Sequence, residues 1–203
     1  QAALRSARGG GMAPNGGIHY IRSMSWIDQH PDMAGAFAAV AEAKSVEQQA
    51  FREAMSRLGA AVHVITTDGP SGKTGFTATA VCSVSDAPPT VLVCLNRGAT
   101  SMPSMRGNGV FCVNTLRAGD EIIADTFAGR TKVAREARFD TGQWATLSTG
   151  SPALMSAVVA LDCRVIEIKA VASHDIYFGM VEAIHQGPSG AALVYHDRLY
   201  KPL

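Results

Sequence analysis

The first residues that could do chemistry lie between Gly75 and Arg97. There the chain reads Gly-Phe-Thr-Ala-Thr-Ala-Val-Cys-Ser-Val-Ser-Asp-Ala-Pro-Pro-Thr-Val-Leu-Val-Cys-Leu-Asn-Arg. The first half is laced with hydroxyls, at Thr77, Thr79, Ser83 and Ser85. Large side chains are scarce, so a flat ligand could lie close to the backbone. The second half, Thr90 to Leu95, is β-branched and aliphatic and ends on the polar pair Asn96 and Arg97. Gly98-Ala99-Thr100-Ser101 then leads into a short predicted turn or helix, Met102 to Arg106. Ser101 suits an N-cap and Pro103 an early helical position. Free N–H groups at such a start, flanked by Arg97, Thr100 and Ser101, suit a phosphate. An ordinary capped turn is the other reading of the same residues.

Other chemistries fit poorly. Gly72-Lys73-Thr74 resembles the end of a nucleotide-binding P-loop. However, Thr67 stands where the first glycine belongs, and Gly75 leads into a strand instead of a helix. A hairpin turn through Gly69, Pro70 and Gly72 is the better reading. The four cysteines, Cys82, Cys94, Cys112 and Cys163, form no C-x-x-C knuckle, so no metal site is expected. They sit in apolar strand-like runs and read as reduced, buried thiols. No secretory signal is recognisable, and the expected location is cytoplasmic. A net charge of +1 without a basic stripe argues against nucleic acid. No apolar run approaches the roughly 18 residues of a membrane span. Only 17% of residues are charged, which hints at surface buried against another subunit.

Residues 1–44 read as a flexible N-terminal arm or tail, rich in glycine at Gly9-Gly10-Gly11 and Asn15-Gly16-Gly17. A helix is predicted from Ser45, with Ser45 and Gln48 as a capping box. Ala50, Phe51, Ala54, Met55 and Leu58 fall on one face, expected to be core, and Gly59 ends the helix. Strands are then predicted at 60–67, 76–85, 90–96, 110–116, 160–169, 176–185 and 192–195, with a helix from 119 to 127. The polar connection 130–150, holding Arg135, Arg138, Phe139 and Trp144, reads as a lid. Residues 197–203 read as a tail. His63, mid-strand between valines, reads as structural or interfacial. This is not the βαβα alternation of a doubly wound fold. It predicts a mainly β protein with helical insertions, an antiparallel Greek-key barrel.

Taken together, residues 47 to about 200 resemble the short-chain flavin reductases, and within them the NADH:FMN reductases of pyrimidine utilisation. The likeness rests on Phe51-Arg-x-Ala-Met-x-x-Leu-Gly-Ala-Ala-Val, on the 75–97 stretch, and on Phe111-Cys-Val-Asn-Thr-Leu. Leu161-Asp-Cys-Arg-Val, His174-Asp-Ile-x-Phe and Leu193-Val-Tyr complete it. The resemblance implies a split β-barrel that binds FMN, with FAD or riboflavin as other flavins, over residues 45–203. It implies a homodimer, NADH or NADPH as electron donor, and a separate monooxygenase that receives reduced flavin.

By position, the resemblance implies that Thr77, Ala78, Thr79 and Ala80 face the ribityl chain and pyrimidine ring. It places Cys82, Ser83 and Val84 along the isoalloxazine, and Asn96, Arg97, Ala99 and Ser101 at the phosphate. His174 falls beside the nicotinamide, where the family has Gly-Asp-His. Here the sequence is Ala172-Ser173-His174-Asp175. No nucleophile is needed for such a reaction, because the cofactor carries the chemistry and the protein orients it. Two other functions fit the same barrel: an FMN-retaining oxidase of the pyridoxamine-phosphate type, and a non-catalytic flavin- or haem-binding module.

Overall fold

A computed structural model describes residues 45–203; the arm expected over residues 1–44 lies outside the described residues. The first element is a helix, α1 (Gln48–Ser56). Strands β1 (Ala60–Ala61), β2 (His63–Thr67), β3 (Thr74–Ala78), β4 (Val81–Asp86) and β5 (Pro89–Asn96) follow. Then come helix α2 (Met102–Asn108), strand β6 (Val110–Thr115) and helix α3 (Glu121–Phe127). A 3-10 turn, Glu136–Asp140, precedes β7 (Trp144–Thr146) and β8 (Pro152–Leu154). The chain ends with β9 (Val159–Val171), β10 (His174–Gln186), β11 (Leu193–His196) and β12 (Leu199–Pro202). The protein is mainly β with helical insertions, as the sequence implied.

The main sheet has seven strands in the order β3-β2-β6-β9-β10-β5-β4. Every neighbouring pair is antiparallel. Consecutive strands β3 and β4 therefore occupy opposite edges. Only Thr79 and Ala80 separate them, and three Cα steps reach at most about 11 Å. The sheet must curl until its edges meet at this end. It is not sealed there, since no ladder joins β3 to β4. The single strand predicted from Phe76 to Ser85 is thus two strands with a break at Thr79-Ala80. One straight strand cannot serve both edges.

Alternation along β2 shows how the curl is filled. Val64 packs with Val62, Leu116, Ile123, Phe127 and Leu154 on one side. Its neighbour Ile65 packs with Val93, Met105, Phe111, Val113 and Tyr177 on the other. Successive strand side chains point to opposite faces, so β2 is buried on both. Asn114 on β6 joins the layers: its Oδ1 accepts from Leu154 N at 2.7 Å, and its Nδ2 donates to Val64 O at 3.0 Å. The β9–β10 hairpin carries register shifts at Phe178/Gly179 and Val181/Ala183, which increase twist. A Cβ on Gly179 would press into the Phe111 ring and lie 2.9 Å from Cys163 Cβ.

Four local expectations change. Ser45 does not cap α1: Glu47 is the N-cap and makes no side-chain cap bond. The apolar face of α1 is not core, because Phe51, Met55 and Leu58 are 46–59% exposed. Periodicity gives a helix an apolar face but does not supply a partner for it. Cys82 is exposed on edge strand β4, while Cys112 and Cys163 are buried. The expected C-terminal tail forms β12, paired with β11 across a turn where Asp197 and Arg198 adopt positive φ.

His63 is structural. It is 9% exposed, and its Nδ1 lies 3.0 Å from Thr115 Oγ1. Burial pushes its pKa down from 6.5 to about 4. Between those values the unfolded chain takes up a proton that the folded chain refuses, so stability falls as pH drops. The loss should approach roughly 2–3 kcal/mol by about pH 4. Urea denaturation at about pH 7 and about pH 5 should show this slope in the wild type and a shallower one in His63→Gln.

Candidate functional site

Where the sheet edges converge, the surface opens into a cleft of about 600 Å3. One wall is β3 and the link that follows it, with Thr77, Ala78, Thr79 and Ala80 all lining the cavity. The opposite wall is the end of β5 and the loop beyond it, with Asn96, Ala99 and Ser101. His174 completes the rim at the start of β10, directly across the ladder from Asn96. Eight of the residues singled out from sequence are thereby brought together.

Local bonding explains the shape. A Cβ on Gly75 would sit 2.8 Å from the Phe127 ring and 2.9 Å from Ile65 O, so glycine lets α3 close down on β3. Thr77 Oγ1 donates to Ala124 O at 2.6 Å and fixes that approach. Ala80 O accepts from Cys94 N at 3.1 Å, which ties the edge-to-edge link to β5. Asn96 Oδ1 accepts from Gly98 N at 2.7 Å and turns the chain into the loop. Ser101 is buried and starts α2, but its side chain makes no capping bond. Ser173 Oγ lies 2.9 Å from His174 Nδ1.

Four singled-out residues lie elsewhere. Cys82, Ser83 and Val84 do not line the cleft; they are exposed on β4, the free edge. Arg97 is also outside its lining. Its Nε is 4.0 Å from Asp175 Oδ1, and its side chain is 47% exposed. Asp175 is fully buried, and its Oδ2 accepts from Arg106 Nη2 at 2.9 Å. Arg97 and Arg106 bracket the loop and α2, so one buried carboxylate holds both ends of the wall that carries Ala99 and Ser101.

Arg138 is the residue the sequence underweighted. It was visible only as part of a polar connection, yet it lines the cleft beside Phe127 and Ala128. Its Nε is buried and has no hydrogen-bond partner among the described residues. A buried donor left unpaired costs about 1–3 kcal/mol, and a guanidinium recovers that by meeting an anion. Arg135 Nη2 donates to Thr100 O at 3.1 Å and docks the connection onto the opposite wall. The cleft thus offers hydroxyls and small residues along its walls, and the Arg138 cation beside the end of α3. Its described lining holds no carboxylate; it does hold the Cys94 thiol and the His174 imidazole, but the His174 Nδ1 partner is Ser173 Oγ.

A curled antiparallel sheet with an anion-ready cleft at its open seam defines the class. Residues 55–203 match the flavin reductase like domain, and the chain belongs to that family. It is 52% identical over 158 residues to "FMN reductase (NADH) RutF" of Escherichia coli (strain K12), covering 78% of this chain and 95% of that protein. A solved protein of Haemophilus somnus 129pt, described as a flavin reductase, superposes with a TM-score of 0.74 at 44% identity. That match covers 78% of this chain and 100% of the other. BorF, the flavin reductase component of a bacterial two-component tryptophan halogenase, gives a TM-score of 0.72 at 28% identity over 77% of this chain and 98% of BorF.

Removing Arg106 should strand the Asp175 carboxylate in the core. Arg106→Ala is expected to cost about 2–3 kcal/mol, less than for a fully buried pair because Arg106 is half exposed. The double variant Arg106→Ala/Asp175→Asn should recover part of that loss. Equal stability of the single and double variants in chemical denaturation would refute the charge argument.

Proposed function

We propose that this protein is an NADH-dependent FMN reductase whose reduced product serves a separate flavin-dependent monooxygenase. The observation that carries the reading is Arg138. Its side chain lines a cleft walled by Thr77–Ala80 and by Asn96–Ser101, with a buried Nε that has no partner among the described residues, in a chain of the flavin reductase family. A flat molecule with a hydroxylated chain and a terminal phosphate fits that residue set. Membership of a pyrimidine-degrading pathway is the finer reading, supported by the resemblance of the 75–97 stretch to the reductases of pyrimidine utilisation.

Hydride acceptance is the chemistry that FMN supplies when bound. Binding and orientation fall to the chain. Thr77, Ala78, Thr79 and Ala80 hold the ribityl chain and the pyrimidine edge. Asn96, Ala99 and Ser101 meet the phosphate with side-chain amide, backbone and hydroxyl donors. Arg138 supplies the cation there, a role the sequence had placed on Arg97. Arg97 is drawn instead toward Asp175. His174, on the rim, orients the nicotinamide. Cys82, Ser83 and Val84 reach the ring only if it lies across the β4 edge, where a second subunit would cover it.

We also infer a homodimer in a cytoplasmic setting. The exposed apolar side chains Phe51 and Met55 of α1, and Leu58 just beyond it, support a subunit contact. Light scattering should give twice the chain mass, and Phe51→Glu should shift it toward the monomer. A monomeric wild type would end that reading.

The reductase assignment is tested by mixing protein, NADH and excess FMN. NADH oxidation should saturate with added FMN, whereas an FMN-retaining oxidase would be indifferent to it and a binding module would not turn over. Arg138→Gln should raise the FMN KM about 10–100-fold, the loss of one charge-assisted bond, with the NADH KM nearly unchanged. His174→Ala should do the reverse. If Arg138→Gln leaves FMN affinity intact, the phosphate is held elsewhere.

A further inference from the structure

Beside the main cleft lies a smaller pocket of about 180 Å3, bounded by Arg130, Tyr195 and Tyr200. It shares Thr77, Ala78, Thr79 and Ala128 with the cleft, so the two cavities are neighbours across the end of β3. We propose that this pocket is an adenine subsite, which takes the far end of a dinucleotide whose other end enters the main cleft. The proposal rests on the reading of that cleft as the flavin and nicotinamide site.

The walls have the chemistry of a base-binding platform. The rings of Tyr195 and Tyr200 lie 5.4 Å apart and tilted by 59°. The guanidinium carbon of Arg130 sits 5.7 Å from the Tyr200 centroid and 6.0 Å from the Tyr195 centroid. Val62 adds an apolar surface. Planar bases bind by stacking on aromatic faces and guanidinium planes, with little dependence on hydrogen-bond pattern. The volume is below the roughly 300 Å3 of pockets for whole small molecules, so it suits a fragment such as a two-ring heterocycle.

The platform is also held in place before any ligand arrives. Arg130 Nη1 donates to Asp125 Oδ1 at 2.8 Å and to Tyr200 Oη at 3.1 Å, while Tyr200 Oη donates to Asp125 Oδ1 at 3.0 Å. Burial, together with the hydrogen bond to Asp125, raises the Tyr200 phenol to about 12, so it remains a neutral donor. A wall already ordered loses less entropy on binding. β11 and β12 bring the two tyrosines together, directly opposite in register, while Arg130 follows α3. The short C-terminal strand thus has a role beyond closing a small sheet.

A dinucleotide carries a flat ring at each end, which matches two adjoining cavities of unequal size. The adenine could come from NADH or from FAD, and the test separates these sources. AMP alone is titrated by calorimetry into wild type, Tyr195→Leu, Tyr200→Leu, Tyr200→Phe and Arg138→Gln proteins. AMP should bind the wild type, weaken about tenfold in either leucine variant, and persist in Tyr200→Phe, which keeps the ring. Circular dichroism confirms that each variant is folded; if Tyr200→Leu is not, Tyr195→Leu carries the test.

Steady-state assays then compare NADH with reduced nicotinamide mononucleotide, which lacks the adenylate, and FAD with FMN. An NADH advantage lost in Tyr195→Leu assigns the pocket to NADH, and an FAD advantage lost there assigns it to FAD. Absence of AMP binding to the wild type, or equal AMP binding in wild type and a folded leucine variant, overturns the proposal. Arg138→Gln keeps the two readings apart. FMN binding that survives this change, measured by calorimetry, tells against the main-cleft assignment without touching the AMP result.

Discussion

The structure depends on a two-residue bridge. Thr79 and Ala80 carry the chain from one edge of a seven-stranded sheet to the other. Two residues cannot span an open, flat sheet of that width, since neighbouring strands are spaced about 4.8 Å apart. The sheet therefore curls, and its seam cannot be anywhere else. Residues of β3, the bridge, the end of β5 and the start of β10 all arrive at that seam. The cleft is the consequence of this closure, and it lies where the backbone has no choice but to converge.

Maintaining the curl demands two cores. Strand β2 separates them and is buried throughout, with Val64 facing one and Ile65 the other. Asn114 ties β6 to β2 and β8 through bonds that satisfy otherwise buried carbonyl and amide groups. At the rim Asp175 is fully buried, with Oδ2 bonded to Arg106, while Arg97 lies 4.0 Å from an Oδ1 that has no hydrogen-bond partner among the described residues. A carboxylate in that position is costly unless paired, and Arg106 is the arginine hydrogen-bonded to it. Arg97 lies outside the cleft lining, 4.0 Å from Asp175, whereas Arg138 is part of that lining.

Such a site matches a reaction in which the protein is a holder. Small residues and hydroxyls on β3 allow close approach by a flat ligand, and Gly75 makes room for α3 behind them. The walls are mostly backbone and short side chains, with the loop after β5 pinned by Asn96 and by Arg135. Rate gains for a hydride transfer come mainly from fixed separation and orientation of the partners. Rigidity of the cleft walls is therefore what the fold contributes.

Much of this was legible in the chain itself. The alternating and β-branched runs gave β2, β5, β6, β9 and β10 because those patterns fit only a half- or fully buried strand. The hydroxyl-rich run from Thr77 and the turn at Asn96 marked two walls of the cleft because residue type sets what a ligand can meet there. The break at Thr79-Ala80, the burial of Asp175 and the place of Arg138 were not legible. Each depends on partners distant in sequence: opposite sheet edges, two arginines on another segment, and a connection folded over α3. The same is true of α1, whose apolar face was written at residues 51, 55 and 58 while its partner was not. Local sequence determined which segments could be strands, turns and ligand-contacting walls, since propensity and periodicity act over a few residues. Only the tertiary structure decided which walls meet and which cation stays free, because desolvation and pairing are set by whatever the closed sheet brings together.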